Sequence, residues 1–386
     1  MPLLADVVAA LEALYDPRLA EPWDAVGLVC GDPAQEVRRI HFAVDPVAAT
    51  VRETIDAGAD LLVTHHPLLL RPVHGVPATS YKGRLVHDLI RSDTALFVAH
   101  TNADVARPGV SDALGTTIGL GELRPLEPSP APPQDKVVTF VAEDDVARVV
   151  DAMADAGAGV IGDYTRCAWF AGGTGTFRAG PDTRPSVGTP GQVTAVAEVR
   201  VEMVAPRGRR AAVLAALRSA HPYEEPAIDV VELAGQPGDQ GLGRIGVLPQ
   251  PLRFVEFVQQ VAARLPDGPA GVRGGGDPDR LVRTVAVCGG AGDSLLDQVT
   301  RAGVDAFVTA DLRHHPAAEH LEAGGPALVD AGHWASEWPW LGDAAARLSA
   351  ALGEATVETA VSARVTDPWT VWSAPGSPDR SSEGVQ

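Results

Sequence analysis

Residues 51–67 read VRETIDAGADLLVTHHP. A helix-period pattern runs to Ala57-Gly58, an acidic residue follows, and a short apolar run ends at Thr64, His65 and His66. Glycine tolerates the left-handed position that closes a helix. An unbroken apolar run suits a strand covered on both faces, hence a parallel sheet. The same grammar returns at 295–316, LLDQVTRAGVDAFVTADLRHHP. A second pair follows each copy: LFVAHTNAD (96–104) and ALVDAGHWASE (327–337) are apolar strands ending in a histidine with a carboxylate four residues on. Upstream, RRIHFAVD (38–45) matches RTVAVCGG (283–290), and the helix-like VSDALGTTIGL and LGDAAARLSAAL close the two copies. Matches in the same order predict an α/β fold of two related halves, 1–130 and 240–372.

The stretch between them has another texture. KVVTFVAE reads as a strand, and DDVARVVDAMADAG as a helix with Asp144 as its N-cap. GVIGDYTRCAWF, GTGTFRAG and AVAEVRVEMVAP read as strands, RGRRAAVLAALRSAHP as a helix and AIDVVEL as a last strand. That order predicts a ferredoxin-like α+β domain over 135–234, inserted between Pro/Gly-rich borders (126–135 and 234–243). Residues 373–386, polar and rich in Pro, Ser and Gly, are expected to be disordered.

Composition narrows the function. The 386 residues carry a net charge of -19 with no basic run, which argues against nucleic acid as a direct partner. Three widely spaced cysteines suit a reducing compartment better than a disulfide framework. The N-terminus reads as an amphipathic helix and no apolar stretch approaches membrane-span length, so no membrane partner and a cytoplasmic location are expected.

Ligands in open α/β sheets bind beyond the carboxyl ends of strands. His65, His66, His100 with Asp104, and His333 with Glu337 all fall at such ends. A lone histidine there is more often structural, but an HH pair joined by two H-x-x-x-[DE] units reads as a metal site. Imidazole and carboxylate together suit zinc foremost, or iron, manganese or nickel. Neighbours on a strand point to opposite faces, so His65 and His66 are expected to serve two metal ions, one each. Asp311, His314 and His315 read equally as an outer shell or as a helix opening. His41, His74, His87 and His320 read as structural or exposed. CGGAGDS (288–294) reads as a tight glycine turn, GTGTF (173–177) as a hairpin or lid loop, Trp23 as core, Asp24 as a turn or cap residue, and Glu224 and Glu225 as solvated.

The stretches WDAVGL, GADLLVTHHPLL, AHTNADVARPGVSDALG, GTGTFR, HPYEEPAIDV, GLGRIG, VAVCGGAGDS and DAGHWASE together resemble the Nif-three-like family, the GTP cyclohydrolase 1 type 2 homologues, over about residues 20–372. The resemblance implies a dinuclear metal centre held by His65, His66, Asp104, His333 and Glu337. It also implies a PII-like or CutA-like insert and a ring-shaped homohexamer whose metal sites face an internal cavity. Ala25 stands where the family usually has Asn, and Ala310 and His314 also depart from its pattern. The expected function is that of a dinuclear metal-dependent hydrolase of a small substrate such as a nucleotide, with Glu337 bridging the ions and His100 carrying protons. The rival is a non-catalytic regulator in which metals hold the assembly and the insert senses a ligand or binds a protein.

Overall fold

Asp60 and Asp305 explain why the repeated grammar folds as it does. In the computed structural model, which describes residues 1–269, 271–353 and 357–371, Asp60 Oδ2 accepts the backbone N–H groups of Arg38 and Arg39 at 2.7 and 2.9 Å. Asp305 Oδ2 accepts those of Arg283 and Thr284 at 2.9 and 2.8 Å. Each carboxylate thus clamps the start of the preceding strand to the start of its own. Gly58 (φ 61°) and Gly303 (φ 65°) supply the left-handed residue just before it. The two strands that follow, Leu61–Thr64 and Ala306–Ala310, are buried along their whole length and lie centrally in two sheets.

The described residues divide into two compact units, those of 1–129 with 239–371 and those of 130–238. In the first unit one sheet runs Gly27–Cys30, Ala95–Val98, Leu61–Thr64, Arg39–Ala43, Glu358–Val361, parallel except for its first pair. The other runs Arg273–Gly275, Ala327–Asp330, Ala306–Ala310, Leu281–Ala291, Pro237–Arg253, Gly121–Pro130. The halves therefore exchange their last strands. Glu358–Val361 pairs with Arg39–Ala43 of the first half, and Gly121–Pro130 lies beside Pro237–Arg253 of the second. The two related halves are thereby interleaved in one unit. Helix His333–Leu352 binds them further: Trp334, Trp340, Leu341 and Ala344 sit in one core with Leu4, Leu11, Phe42 and Phe97. Trp340 is fully buried and donates Nε1–H to Tyr15 Oη at 3.2 Å.

The second unit has four antiparallel strands in the order Trp169–Arg178, Val193–Pro206, Gln134–Val141, Ile228–Glu232. Helices Val146–Asp155 and Arg210–Ala220 close a core of Val137, Val149, Met153, Val201 and Leu217 on one face. With its βαββαβ chain order this is a split βαβ arrangement. Two local expectations change. The helix opens through a 3-10 turn, Glu143–Asp145, without a side-chain cap from Asp144 or Asp145. The second strand starts at Trp169, because Gly159, Gly162 and Arg166 take positive φ values that break extended pairing before it. The tail 373–386 lies outside the described residues.

Ala131 N–H donates to Gln236 O at 2.8 Å, so the ends of the inserted stretch lie together. Replacing residues 135–234 by a short flexible linker is expected to leave a soluble first unit that binds metal like the intact chain. Equilibrium dialysis with elemental analysis checks this, and a soluble deletion protein with an empty site would count against it.

Candidate metal centre

The HH pair lies just past the strand Leu61–Thr64. His65 and His66 still follow the neighbouring strand through N–H bonds to Ala43 O and Val44 O (3.3 and 2.9 Å). Thr64 Oγ1 donates to His66 O at 2.9 Å and bends the chain. Pleat alternation stops at that bend, so the two rings do not point to opposite faces. They turn into one cluster with centroids 5.1 Å apart. His100 ends the neighbouring strand's path and precedes helix Thr101–Val105, which carries Asp104 one turn on. His333 and Glu337 stand in the first turns of helix His333–Leu352.

All four histidines are fixed through Nδ1. His65 donates to Ala99 O (2.9 Å), His66 to Asp45 Oδ1 (2.7 Å), His100 to Asp24 Oδ1 (2.8 Å) and His333 to Asp311 Oδ2 (2.7 Å). Carbonyl and carboxylate oxygens only accept, so each neutral ring carries its proton on Nδ1 and keeps a lone pair on Nε2. Those lone pairs converge. His333 Nε2 lies 3.3 Å from His66 Nε2 and 3.0 Å from Glu337 Oε1. His66 Nε2 lies 3.1 Å from Glu337 Oε2, and His65 Nε2 lies 3.4 Å from Glu337 Oε1 and 3.8 Å from Asp104 Oδ1. The buried His65 Nε2 and Glu337 Oε2 make no hydrogen bond with protein. Acceptors facing acceptors in a buried space repel one another unless a cation sits among them. Two donor groups have all their ligand atoms within 4.8 Å of one another: His65, His66 and His100; and His66, His333 and Glu337. Imidazole and carboxylate donors with ordered outer carboxylates fit a transition-metal ion.

The electrostatics express the same lack of positive charge. Burial pushes the His65, His66 and His333 imidazoles down, yet the Glu337 charge overrides it. His65 ends raised, His66 well above its ordinary value, and His333 at about 9. Burial would raise Glu337, but the charges of His66, His65 and His333 hold it well below the usual carboxylate range. Asp104 goes the other way, raised by burial.

Asp311 thus anchors His333, while His314 and His315 open helix His314–Glu322. Asp311 reaches His333 from a left-handed turn (φ 55°) that aspartate tolerates better than most residues. Asp24 is more than a turn residue: its Oδ2 accepts Thr101 N–H (3.0 Å) while Oδ1 holds His100. Trp23 is not core but 58% exposed, edge-on to His100 at 6.1 Å. Sequence reasoning missed Asp45, which also takes a hydrogen bond from Thr366. It also missed Gly290, whose backbone lies against Glu337 and His333. The signal for Asp45 was its place at a strand end beside those of the histidines. For Gly290 it was the glycine turn itself.

The Duf34/NIF3 (NGG1p interacting factor 3) family model matches residues 2–368. The chain belongs to this family. A Mycobacterium leprae relative named GTP cyclohydrolase 1 type 2 homolog is 53% identical over 95% of this chain and 94% of its own. A Streptomyces coelicolor relative of the same name is 40% identical over 98% of each. Among solved structures, a Bacillus cereus protein related to NIF3 superposes with a TM-score of 0.76 at 34% identity, over 95% of this chain and 98% of that one. A Staphylococcus aureus protein gives 0.80 at 26% identity, over 96% and 99%. Among the described residues of this chain no helix is long and apolar enough to cross a membrane.

Proposed function

We propose that this chain is a metal-dependent hydrolase with two divalent ions in the centre built by His65, His66, His100, Asp104, His333 and Glu337. The observation that carries the reading is the convergence of three Nε2 lone pairs, those of His65, His66 and His333, on the two oxygens of one buried carboxylate. His66 and His333 would hold one ion and His65 with Asp104 the other, Glu337 being shared. Divalent ions so placed supply Lewis acidity and acidify water near pH 7. The protein orients the imidazoles through Asp24, Asp45, Asp311 and Ala99 O, and Trp23 offers a flat apolar wall beside His100. Zinc is the first ion to test. The relatives' name makes GTP the first substrate to test, followed by other small phosphorylated compounds. The strand order of the second unit supports reading it as a PII-like or CutA-like module.

The test combines elemental analysis with turnover. Protein purified without chelator should approach two divalent ions per chain and lose hydrolysis on chelation; a firm value of one, with no second site on titration, would sink the dinuclear reading. His100→Ala separates two roles. The grouping of His100 with His65 and His66 supports a ligand role over the proton carrier expected from sequence. The variant should therefore lose one ion, whereas a pure proton carrier would keep both and slow turnover by ~10²–10⁴-fold.

The outer carboxylates give a milder result. Asp45→Asn and Asp311→Asn should each weaken metal binding by ~10–100-fold, since each frees one ring to rotate or change tautomer. Competition against a chelator of known affinity measures it, and unchanged affinity in both would show that Nδ1 anchoring is dispensable.

A further inference from the structure

The second unit carries a cavity of about 650 Å³ that the metal chemistry does not use. Its size falls in the range of small-molecule sites. Its floor is the sheet face away from the helices. Val199, Val201 and Met203 pack into the helical core, so by strand alternation Glu198, Arg200 and Glu202 stand on the opposite face. The paired strand places Ala171 opposite Arg200, Gly173 opposite Glu198 and Gly175 opposite Val196, in unbroken register. Glycine weakens a strand interior and often marks a close approach by another molecule. No backbone demand accounts for Gly173: its φ is not positive, and a Cβ there would meet nothing within 4 Å.

Two opposite charges line this cavity without pairing with each other. Arg200 gives Nε–H to Glu202 Oε1 at 2.7 Å, stacks on the Phe140 ring and makes no hydrogen bond through Nη1 or Nη2 among the described residues. Glu202 is shared with Lys136 Nζ at 2.9 Å, so one carboxylate serves two cations and positive charge remains on Arg200. Glu198 has no salt-bridge partner among the described residues. Beside it lies the buried Tyr223 hydroxyl, and burial, then the neighbouring Glu198 carboxylate through hydrogen bonding and charge, push that phenol up to about 12. Glu224 and Glu225 stand at the rim, and Glu224 Oε2 accepts Arg184 N–H at 3.0 Å, tying the 180–187 segment beside the opening. Phe177 and Val187 give the cavity an apolar wall.

We propose that this cavity binds a free α-amino acid with an apolar side chain. Its ammonium group meets Glu198 and the Tyr223 hydroxyl, its carboxylate meets the free Arg200 Nη atoms, and its side chain packs on Phe177 and Val187. Glycine at 173 leaves room for the ligand's backbone. Arginine suits a planar carboxylate through two parallel N–H bonds. The proposal is independent of the metal centre and gives the second unit a ligand-sensing role.

Isothermal titration of the full-length protein with L-leucine, L-phenylalanine and L-tryptophan tests it. At least one should bind saturably. For phenylalanine, loss of either charged group, as in phenethylamine or 3-phenylpropionate, should weaken binding at least about 10-fold, the scale of a charged hydrogen bond. Glu198→Gln and Arg200→Met should each do the same. Gly173→Leu fills the cavity from a position with open space and should abolish binding at an unchanged melting temperature. The proposal falls if none of the three amino acids binds saturably, if phenethylamine binds as tightly as phenylalanine, or if folded Gly173→Leu retains full affinity.

Discussion

Glu337→Ala should release both metal ions together and abolish any hydrolytic activity. Glu337 is buried, and its two oxygens lie within 3.0–3.4 Å of three separate Nε2 atoms. On the proposed two-ion reading, removing it takes away the one anion common to both positions and leaves imidazoles facing one another. The loss should exceed the ~10–100-fold cost of deleting an outer-shell partner. His65→Ala and His66→Ala each remove a neutral donor from one side and should each lose mainly one ion. Metal content after exhaustive dialysis, measured on all three variants, separates these patterns. Two ions retained by Glu337→Ala would show that the bridge is misplaced and that the other donors suffice.

The parts of this site that could be read from sequence are those encoded locally. The repeated Ala-Gly-x-Asp before an apolar run is a self-contained instruction. Glycine ends the helix, the aspartate clamps the neighbouring strand, and both halves carry it out with Gly58–Asp60 and Gly303–Asp305. His333 and Glu337 are four apart, which on a helix means one face, and their side chains do meet at 3.0 Å. What escaped is non-local. Nothing near Asp24 marks a partner 76 residues away, and Asp45 shows only its place at a strand end, not which ring 21 residues on it holds. The exchanged strands Glu358–Val361 and Gly121–Pro130 carry no sign of whose edge they join. The pleat argument for His65 and His66 assumed that the strand continues through both; it ends at Thr64, before either, where Thr64 Oγ1 bonds His66 O. Trp23 was read as core because large aromatics usually are, and exposure beside a site is invisible to that rule.

Gly290 supplies the second large effect and a matched control. Its φ is 65°, its N–H donates to Ser336 Oγ at 2.9 Å, and its carbonyl accepts from Thr309 Oγ1 at 2.9 Å. The backbone is therefore pinned on both sides. A Cβ at this point would clash with Glu337 Oε1 and come within 3.0 Å of His333 Nε2, so the ligands must move. Gly303 shares the same φ of 65°, but a Cβ there meets nothing within 4 Å. Gly290→Ala and Gly303→Ala thus carry the same left-handed strain, ~1–2 kcal/mol, and only the first intrudes on the metal centre. Gly303→Ala should lower the melting temperature and keep its metals. Gly290→Ala should lower it by a similar amount when both are metal-free, yet bind metal at least ~10-fold more weakly, because site geometry must hold to within about 0.5 Å. Chelator competition on the two variants at matched folded fraction reads the difference. Equal affinities would mean that Glu337 and His333 can shift without loss, and that the pinned glycine turn does not shape the centre.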